Sequence, residues 1–573
     1  MKKNSNLPGK TLLAVAISMA TMSSTQALEF YSGGIEGNIT SQISMGSSWR
    51  LESPTEHLTT NPEKANVNDG DSNYDKGDAI SQVFKGSHDL QISYQNYGAF
   101  VRGKYWYDFA LNNNAVDYGT EVDGNAGAGE PLDDSEFNDL SKFSGAEVLD
   151  AFVYGEFELG EMPLDLRLGK QVVSWGESTF ILGGVNAINP IDVASFRRPG
   201  AEIKEGLIPV NMAYANLGVS DNLSAEAFYQ LEYQETVIPG CGTFFSTNDY
   251  APQGCDGGVL TAAGIVPRSK DDKADSAGQF GVALRYIADE LGGAEFGFYA
   301  MNIHSRAPLV NAVISADGAL ADGKSFGYRV AYPEDTQLVG VSFATNVGSM
   351  ALSGEVTHKL NVPVQIKDSQ LITAGLTTNV TGSGAPGTAL VLGDLGSVEL
   401  DAAFTAAWDE SAATGETVDV EGYVKHDITQ VQLTAVQLFD QVGPISRIIL
   451  LGEAGYTFVH DFNNDLGEIR YDTSQENITE DSWGYRARII TQFNDVFNGV
   501  NLTPVIAWTH DVDGYSPDPA GNFREGRETL GFTLKADYLA TYNAAISYTQ
   551  YGAGDNNNVA DRDFASITVG MSF

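Results

Sequence analysis

Residues 223–233 alternate: Leu223, Ala225, Ala227, Tyr229, Leu231 and Tyr233 share one face, and Ser224, Glu226, Phe228, Gln230 and Glu232 share the other. A side-chain period of two with one apolar and one polar face predicts a β-strand standing between a dry and a wet environment. The pattern recurs along the chain. Residues 99–109 put Arg102, Lys104 and Asp108 on the polar face, and residues 350–360 put Ser353, Glu355, Thr357 and Lys359 there. Further segments are 164–173, 278–288, 448–459, 485–493, 502–511, 529–538 and 542–551. In the last run Ala565, Ile567, Val569, Met571 and Phe573 face one way, and Ser566, Thr568, Gly570 and Ser572 the other. With weaker runs included, roughly 14 to 18 strands are expected, an even number if the sheet closes on itself.

Short and long connections alternate between these strands. Asn96-Tyr97-Gly98, Asp221-Asn222 and Asn346-Val347-Gly348 mark tight turns, whereas residues 52–78, 112–145, 234–274 and 367–421 are long. A transmembrane barrel is threaded in this way, with short turns at one rim and long loops at the other. No run of about 20 apolar residues offers a membrane-crossing helix, so a membrane location requires a closed barrel, in which every backbone group is satisfied in lipid. At the start, Lys2, Lys3 and Lys10 flank or precede the apolar residues 11–22 and a small-residue site at Thr25-Gln26-Ala27. That is the pattern of a cleaved signal peptide over residues 1–27. Val569, Met571 and Phe573 form an amphipathic strand closed by an aromatic residue, which resembles the signal that the barrel-assembly machinery of Gram-negative bacteria reads. The expected fold is therefore all-β: one transmembrane antiparallel β-barrel domain over residues 28–573, surrounded by outer-membrane lipid. Tyr105, Trp106, Tyr107, Tyr229, Tyr233, Trp508, Tyr538 and Tyr548 are candidates for its interfacial aromatic girdles.

One long connection breaks the pattern. Residues 174–209 carry Phe180, Ile181, Leu182, Val185, Ile188, Ile191, Val193 and Phe196 close together, too apolar for an exposed loop. We expect a lumenal plug or constriction there, the alternative being a lid packed over the mouth. Its charges Arg197, Arg198, Glu202, Lys204 and Glu205 either latch it to inner-face partners such as Glu226 or Arg285, or contact a solute.

Composition sharpens this picture. The 33 basic and 75 acidic residues give a formal net charge of −42, which argues against nucleic acid as a partner, since phosphate binding needs clustered Lys and Arg. A solvated acidic exterior accounts for the excess. The two cysteines, Cys241 and Cys255, share one loop, and in an oxidising compartment such a pair is most simply a disulfide worth up to roughly 3 kcal/mol.

Other motifs are weaker. Asp69, Asp71, Asn73 and Asp75 recur every second residue like the start of a calcium loop, but Tyr74 stands where the turn needs Gly and Ile80 where the bidentate Glu belongs. A looser calcium site and a plain solvated loop both remain open. Residues 323–327 fit G-x-S-x-G and residues 382–387 fit G-x-G-x-x-G, yet neither lies in the strand-turn-helix setting its chemistry requires. No catalytic constellation and no cofactor is expected.

Arg167-Leu168-Gly169-Lys170-Gln171-Val172-Val173-Ser174-Trp175-Gly176-Glu177-Ser178, Asn186-Ala187-Ile188-Asn189-Pro190-Ile191-Asp192-Val193 and Arg197-Arg198-Pro199-Gly200-Ala201-Glu202 form a long central motif. With residues 70–78, 452–456 and 511–573, they resemble the proteobacterial outer-membrane family catalogued as domain of unknown function 1302, over essentially the whole chain after residue 27. The resemblance implies a barrel that works beside a periplasmic partner and an inner-membrane exporter of the resistance-nodulation-division superfamily. It further implies traffic of a hydrophobic, lipid-like solute, with Trp175, Glu177, Asn186, Asn189 and Asp192 joining the charged group as lumen or plug candidates. The expected function is thus an outer-membrane channel or transporter for a hydrophobic or amphipathic solute. A general diffusion porin is the first alternative and a barrel-bound hydrolase the second.

Overall fold

The computed structural model describes residues 28–55, 68–119, 129–255, 258–261, 264–367, 370–372, 374–375, 398–462, 471, 478–519, 521–552 and 557–573. The expected signal peptide and the glycine-rich residues 382–387 lie outside them. Eighteen strands form a closed antiparallel barrel. In chain order they are β1 Ile35–Arg50, β2 Ala79–Tyr94, β3 Tyr97–Asp108, β4 Ser144–Leu159, β5 Met162–Gln171, β6 Val210–Ser220, β7 Leu223–Gln230, β8 Phe280–Ala288 and β9 Ala294–Ile303. They continue as β10 Thr336–Val347, β11 Met350–Gln365, β12 Tyr423–Val442, β13 Ile445–Val459, β14 Asp481–Phe497, β15 Val500–Asp513, β16 Glu528–Tyr538, β17 Tyr542–Tyr551 and β18 Phe564–Ser572.

Each strand pairs with its sequence neighbours, and β18 closes on β1 from Gln42↔Ser572 to Arg50↔Phe564. Below that ladder Phe573 exchanges backbone hydrogen bonds with Ser41. The short strand Leu28–Ser32 then pairs with Ile35–Ile39, continuing the seam past Phe573. The wall is inside-out relative to a water-soluble core: Val282 and Ile546 are 53% and 57% exposed, whereas Glu355 and Glu453 on inner faces are 3% and 2% exposed. Lipid outside and polar groups inside produce that order.

Two girdle candidates are corrected. Trp106 shares its side of β3 with Lys104 and Asp108, so it faces inward and is buried. Strand β7 ends at Gln230, and Tyr233 is buried in the loop beyond, against His304 and Tyr332. Tyr107, Tyr229, Trp508 and Tyr538 are exposed outside.

Strands β5 to β9 are short, 8 to 11 residues, and β11 to β15 are long, 14 to 20. The loops at the long-loop rim are more folded than a solvated exterior implies. Leu309–Ile314, Phe326–Ala331 and Val418–Val420 form a small antiparallel sheet. Helix α1, Val398–Thr414, packs Leu400, Phe404 and Ala407 against Phe326 and Ala312 of that sheet. Ser325 of the G-x-S-x-G run enters this sheet from a one-turn helix, so the run has no strand-turn-helix elbow. Beside it, Cys241 and Cys255 are bonded, with Cα atoms 5.2 Å apart, in a cluster with Tyr74, Phe137 and Phe244.

Candidate functional site

Residues 174–209 leave the long-loop end of β5, run through the inside of the barrel and return to β6. Asn189 pins the two feet of the excursion. Its Oδ1 accepts the Val173 N–H at 3.0 Å, and its Nδ2 donates to the carbonyls of Ile208 (3.1 Å) and Gln171 (3.4 Å). Trp175, Val185 and Ile188 pack on Met212, Phe228, Tyr299, Met301 and Leu338, the apolar inner faces of β6 to β10. The Trp175 indole N–H donates to Glu226 at 2.7 Å, and Tyr214 and Arg285 hold the same carboxylate.

From this base one arm, residues 176–185, reaches β11 to β13. Wall carboxylates bind its backbone. Glu355 accepts the N–H groups of Glu177 (2.7 Å) and Val185 (2.9 Å), and Glu453 accepts those of Thr179 (3.0 Å), Phe180 and Ile181 (3.3 Å). Gln430 and Gln432 donate to the carbonyls of Leu182 and Ile181. The arm fits this closely because of two glycines: a Cβ on Gly184 would lie 1.8 Å from Glu355 Oε1, and one on Gly176, whose φ is +80°, 2.5 Å from Oε2.

The second arm, residues 190–206, reaches β1 to β3 with the charges reversed. Here the wall supplies ammonium groups. Lys104 Nζ lies 2.9 Å from Asp192 and Lys85 pairs with Glu205, all four side chains being buried. Asp192 also caps the turn Val193–Arg197 through the Ser195 N–H, Gln42 donates to Glu202, and Lys85 donates to the Gly200 carbonyl at 2.8 Å. Lys204 pairs only with Glu202, half-exposed, at 3.2 Å. Glu177 offers its N–H rather than its side chain, and Asn186 is exposed.

The arginine pair does not make the expected ion pairs with inner-face acids. Arg197 donates to the Tyr551 hydroxyl and lies over the Phe245 ring; Arg198 donates to the carbonyls of Leu140 and Lys142 and lies over Trp106. Neither meets a wall carboxylate, because the inner face beside them is occupied by Lys85 and Lys104. Sequence reasoning placed Lys104 and Glu355 on inner faces but did not connect them to the segment; Lys85, Glu453, Gln430, Gln432 and Asn522 were missed. The signal of the first four is a charged or amide residue at a dyad-inward position of a strand; Asn522, which bonds the Leu182 backbone from the loop between β15 and β16, carries none.

The calcium reading also fails. Asp71 is fully buried and its carboxylate faces Arg50 at 2.8 Å and Arg562 at 3.7 Å, while the Asn73 side chain bonds the backbone of Tyr118, Gly119 and Gly242. Asp75 points to solvent, and among the described residues no three ligand side chains converge. The stretch anchors loops: Arg50 and Arg562 tie residues 68–74, 244–246 and 561 together over β1.

Solved structures to which the chain is similar include OccAB3 of Acinetobacter baumannii, at 9% identity, 94% of this chain and 99% of that chain covered, and a TM-score of 0.40. OccK9 (OpdG) of Pseudomonas aeruginosa matches at 8% identity, 94% and 97% coverage and 0.40. A BenF-like porin of Pseudomonas fluorescens matches at 9%, 94% and 98%, and 0.39. No curated protein matches by sequence. One family model covers residues 9–573, and the chain accordingly belongs to the family described as protein of unknown function, DUF1302.

Proposed function

We propose that the protein is an outer-membrane channel whose path is set by residues 174–209, and that its solute is hydrophobic or amphipathic. The carrying observation is that the segment is bonded to opposite walls yet keeps apolar side chains uncovered: Leu182, Phe196 and Ile203 are 57%, 40% and 75% exposed inside the barrel. Burying apolar surface is worth about 25 cal/mol per Å², so such groups offer a solute the contacts that water does not. Among the described residues the β15–β16 loop reaches the segment through Asn522, which bonds the N–H and the carbonyl of Leu182, but no hydrogen bond or ion pair joins the segment to strands β15 or β16 themselves. The inner faces there carry Ala507, Gly531 and Thr533, all partly exposed, with the exposed Lys535 further along. The path runs along that sector, between the two arms.

In this reading the barrel is exported by its signal peptide, inserted by the barrel-assembly machinery and coupled to a periplasmic partner and a resistance-nodulation-division exporter. The family resemblance is the support for those partners. Deleting residues 179–201 tests the path. Planar-bilayer conductance should rise several-fold in a barrel that remains heat-modifiable; conductance equal to the parent's would exclude the segment as the constriction.

A further inference from the structure

We propose that the long-loop end of the lumen holds a binding site for an amphipathic monoanion, in which Lys359 and Asn522 take the anionic group and Leu182 meets the apolar part. The proposal deepens the channel reading and rests on it. Lys359 stands on β11 with Glu355 and Thr357 on its inner face, near the long-loop end of the strand, and is partly exposed.

Gly183 measures how closely these groups gather. Within the first arm its φ is +85°, and a Cβ built on it would lie 3.4 Å from Lys359 Nζ, 2.9 Å from Gln430 Oε1 and 3.8 Å from Asn522 Nδ2. Strands β11 and β12 and the loop between β15 and β16 thus converge on one point beside the arm, within reach of a single head group. Leu182 is the adjacent residue and is 57% exposed. Asn522 holds its N–H at 3.2 Å and its carbonyl at 2.8 Å, which fixes the backbone of Leu182 beside that point.

The ammonium group there is unclaimed. Lys85 and Lys104, the inner-face lysines of β2 and β3, meet Glu205 and Asp192. Lys359 makes no hydrogen bond and no ion pair among the described residues, and its cross-strand neighbours Leu338 and Ile428 are apolar. The acids of this sector are committed elsewhere. Glu355 accepts the N–H groups of Glu177 and Val185, and Glu453 those of Thr179, Phe180 and Ile181. The Glu177 side chain lies toward Arg285 and Glu295. Gln430 spends its Nε2 on the Leu182 carbonyl, which leaves an uncharged oxygen beside the ammonium. Asn522 Nδ2 gives one N–H to the same carbonyl and keeps its second. An ammonium and an amide N–H side by side match the two oxygens of a carboxylate. With Glu355 and Glu453 fixed on the neighbouring wall, one negative charge is accepted more readily than two.

Decanoate and neutral decanol are the probes, titrated calorimetrically into the full-length protein in nanodiscs with empty nanodiscs as reference. Decanoate should bind saturably, and decanol about tenfold more weakly or worse, for want of charge-assisted hydrogen bonds. Lys359→Met, which keeps the stem and removes the charge, should weaken decanoate about tenfold, and Lys359→Arg should recover part. Leu182→Ala should weaken it about threefold through lost apolar contact. Asn522→Asp, in a loop outside the barrel wall, sets a negative charge at the site and should weaken decanoate about tenfold even where Lys359→Met does not assemble. The proposal is overturned by absence of saturable decanoate binding, by equal binding of decanol, or by unchanged decanoate binding in Lys359→Met or Asn522→Asp with the heat-modifiable barrel intact. A protein that opens on deletion of residues 179–201 but ignores decanoate loses this proposal and keeps the channel.

Discussion

The two arms of the lumenal segment are fastened in opposite ways. In the first, the wall provides two carboxylates and two glutamine amides and the segment provides only backbone N–H and C=O groups. In the second, the wall provides the cations and the segment provides Asp192 and Glu205. Backbone recognition asks little of side chains beyond glycine at Gly176 and Gly184, so the first arm can change sequence without losing its clasp. Side-chain recognition ties Asp192 and Glu205 to Lys104 and Lys85 specifically. The second arm is therefore a strut specified by its side chains and the first a clasp specified by its backbone.

Removing both lysines should do most damage. Lys85→Met with Lys104→Met leaves Asp192 and Glu205 buried without a counter-charge, a change that costs about 3–5 kcal/mol per broken pair. The strut should detach, conductance should rise several-fold, and a cysteine placed at Ser195, now buried, should react with a water-soluble maleimide. Unchanged labelling would mean the ion pairs do not hold the arm. Glu453→Gln should be milder, because shape is kept while the charge and one of the two acceptor oxygens are lost, the new NH2 facing the N–H of Thr179 or those of Phe180 and Ile181, about 1.5–3 kcal/mol. It should raise labelling at position 179 without raising it at 195. Gly184→Ala pushes a methyl into the Glu355 carboxylate, so in a double-mutant cycle its effect on labelling should not add to that of Glu355→Gln; full additivity would place the clasp elsewhere. Arg197→Ala with Arg198→Ala should change conductance least, since what is lost is ring stacking, about 0.5–1 kcal/mol where exposed, and hydrogen bonds to a tyrosine and two carbonyls.

The barrel was legible because its physics is local: each strand declares its wet and dry faces through a period of two, as residues 223–230 do. The interior segment was legible through its apolar density, although Leu182 and Phe196 are left uncovered rather than hidden. What did not follow was pairing across the lumen. Lys85 and Glu205 are 120 residues apart and Lys104 and Asp192 are 88 apart, and nothing near any of them says which meets which. Arg197 and Arg198 looked like the latch because adjacent basic residues in an apolar stretch invite acids; the closed geometry places them against rings and carbonyls instead. The cap formed by α1 and the sheet at Leu309–Ile314 was hidden for the same reason, its strands coming from two loops that meet only in space.

A third carboxylate that accepts a backbone N–H completes the comparison. Asp249, in the disulfide-bonded loop outside the membrane, accepts the Asp69 N–H at 2.9 Å. Unlike Glu453, it takes one N–H rather than three, and it faces a second acid. Burial, with the Asp69 charge adding to it, pushes Asp249 up to about 8, and burial pushes Asp69 up to about 6. Both lie above the range of a carboxylate in an unfolded chain, about 3.9, so the folded loop binds more protons than the unfolded one. Its stability is then greatest while the pair holds a proton and falls as pH rises through the folded values. Amide exchange across residues 241–255 should accelerate between pH 6 and 9 by more than the intrinsic chemical rate. Asp249→Asn, which keeps the acceptor and removes the charge, should flatten that excess. If the excess persists in Asp249→Asn, the titration belongs to another group, and the contrast between a carboxylate satisfied by three N–H groups and one satisfied by a single N–H loses its support.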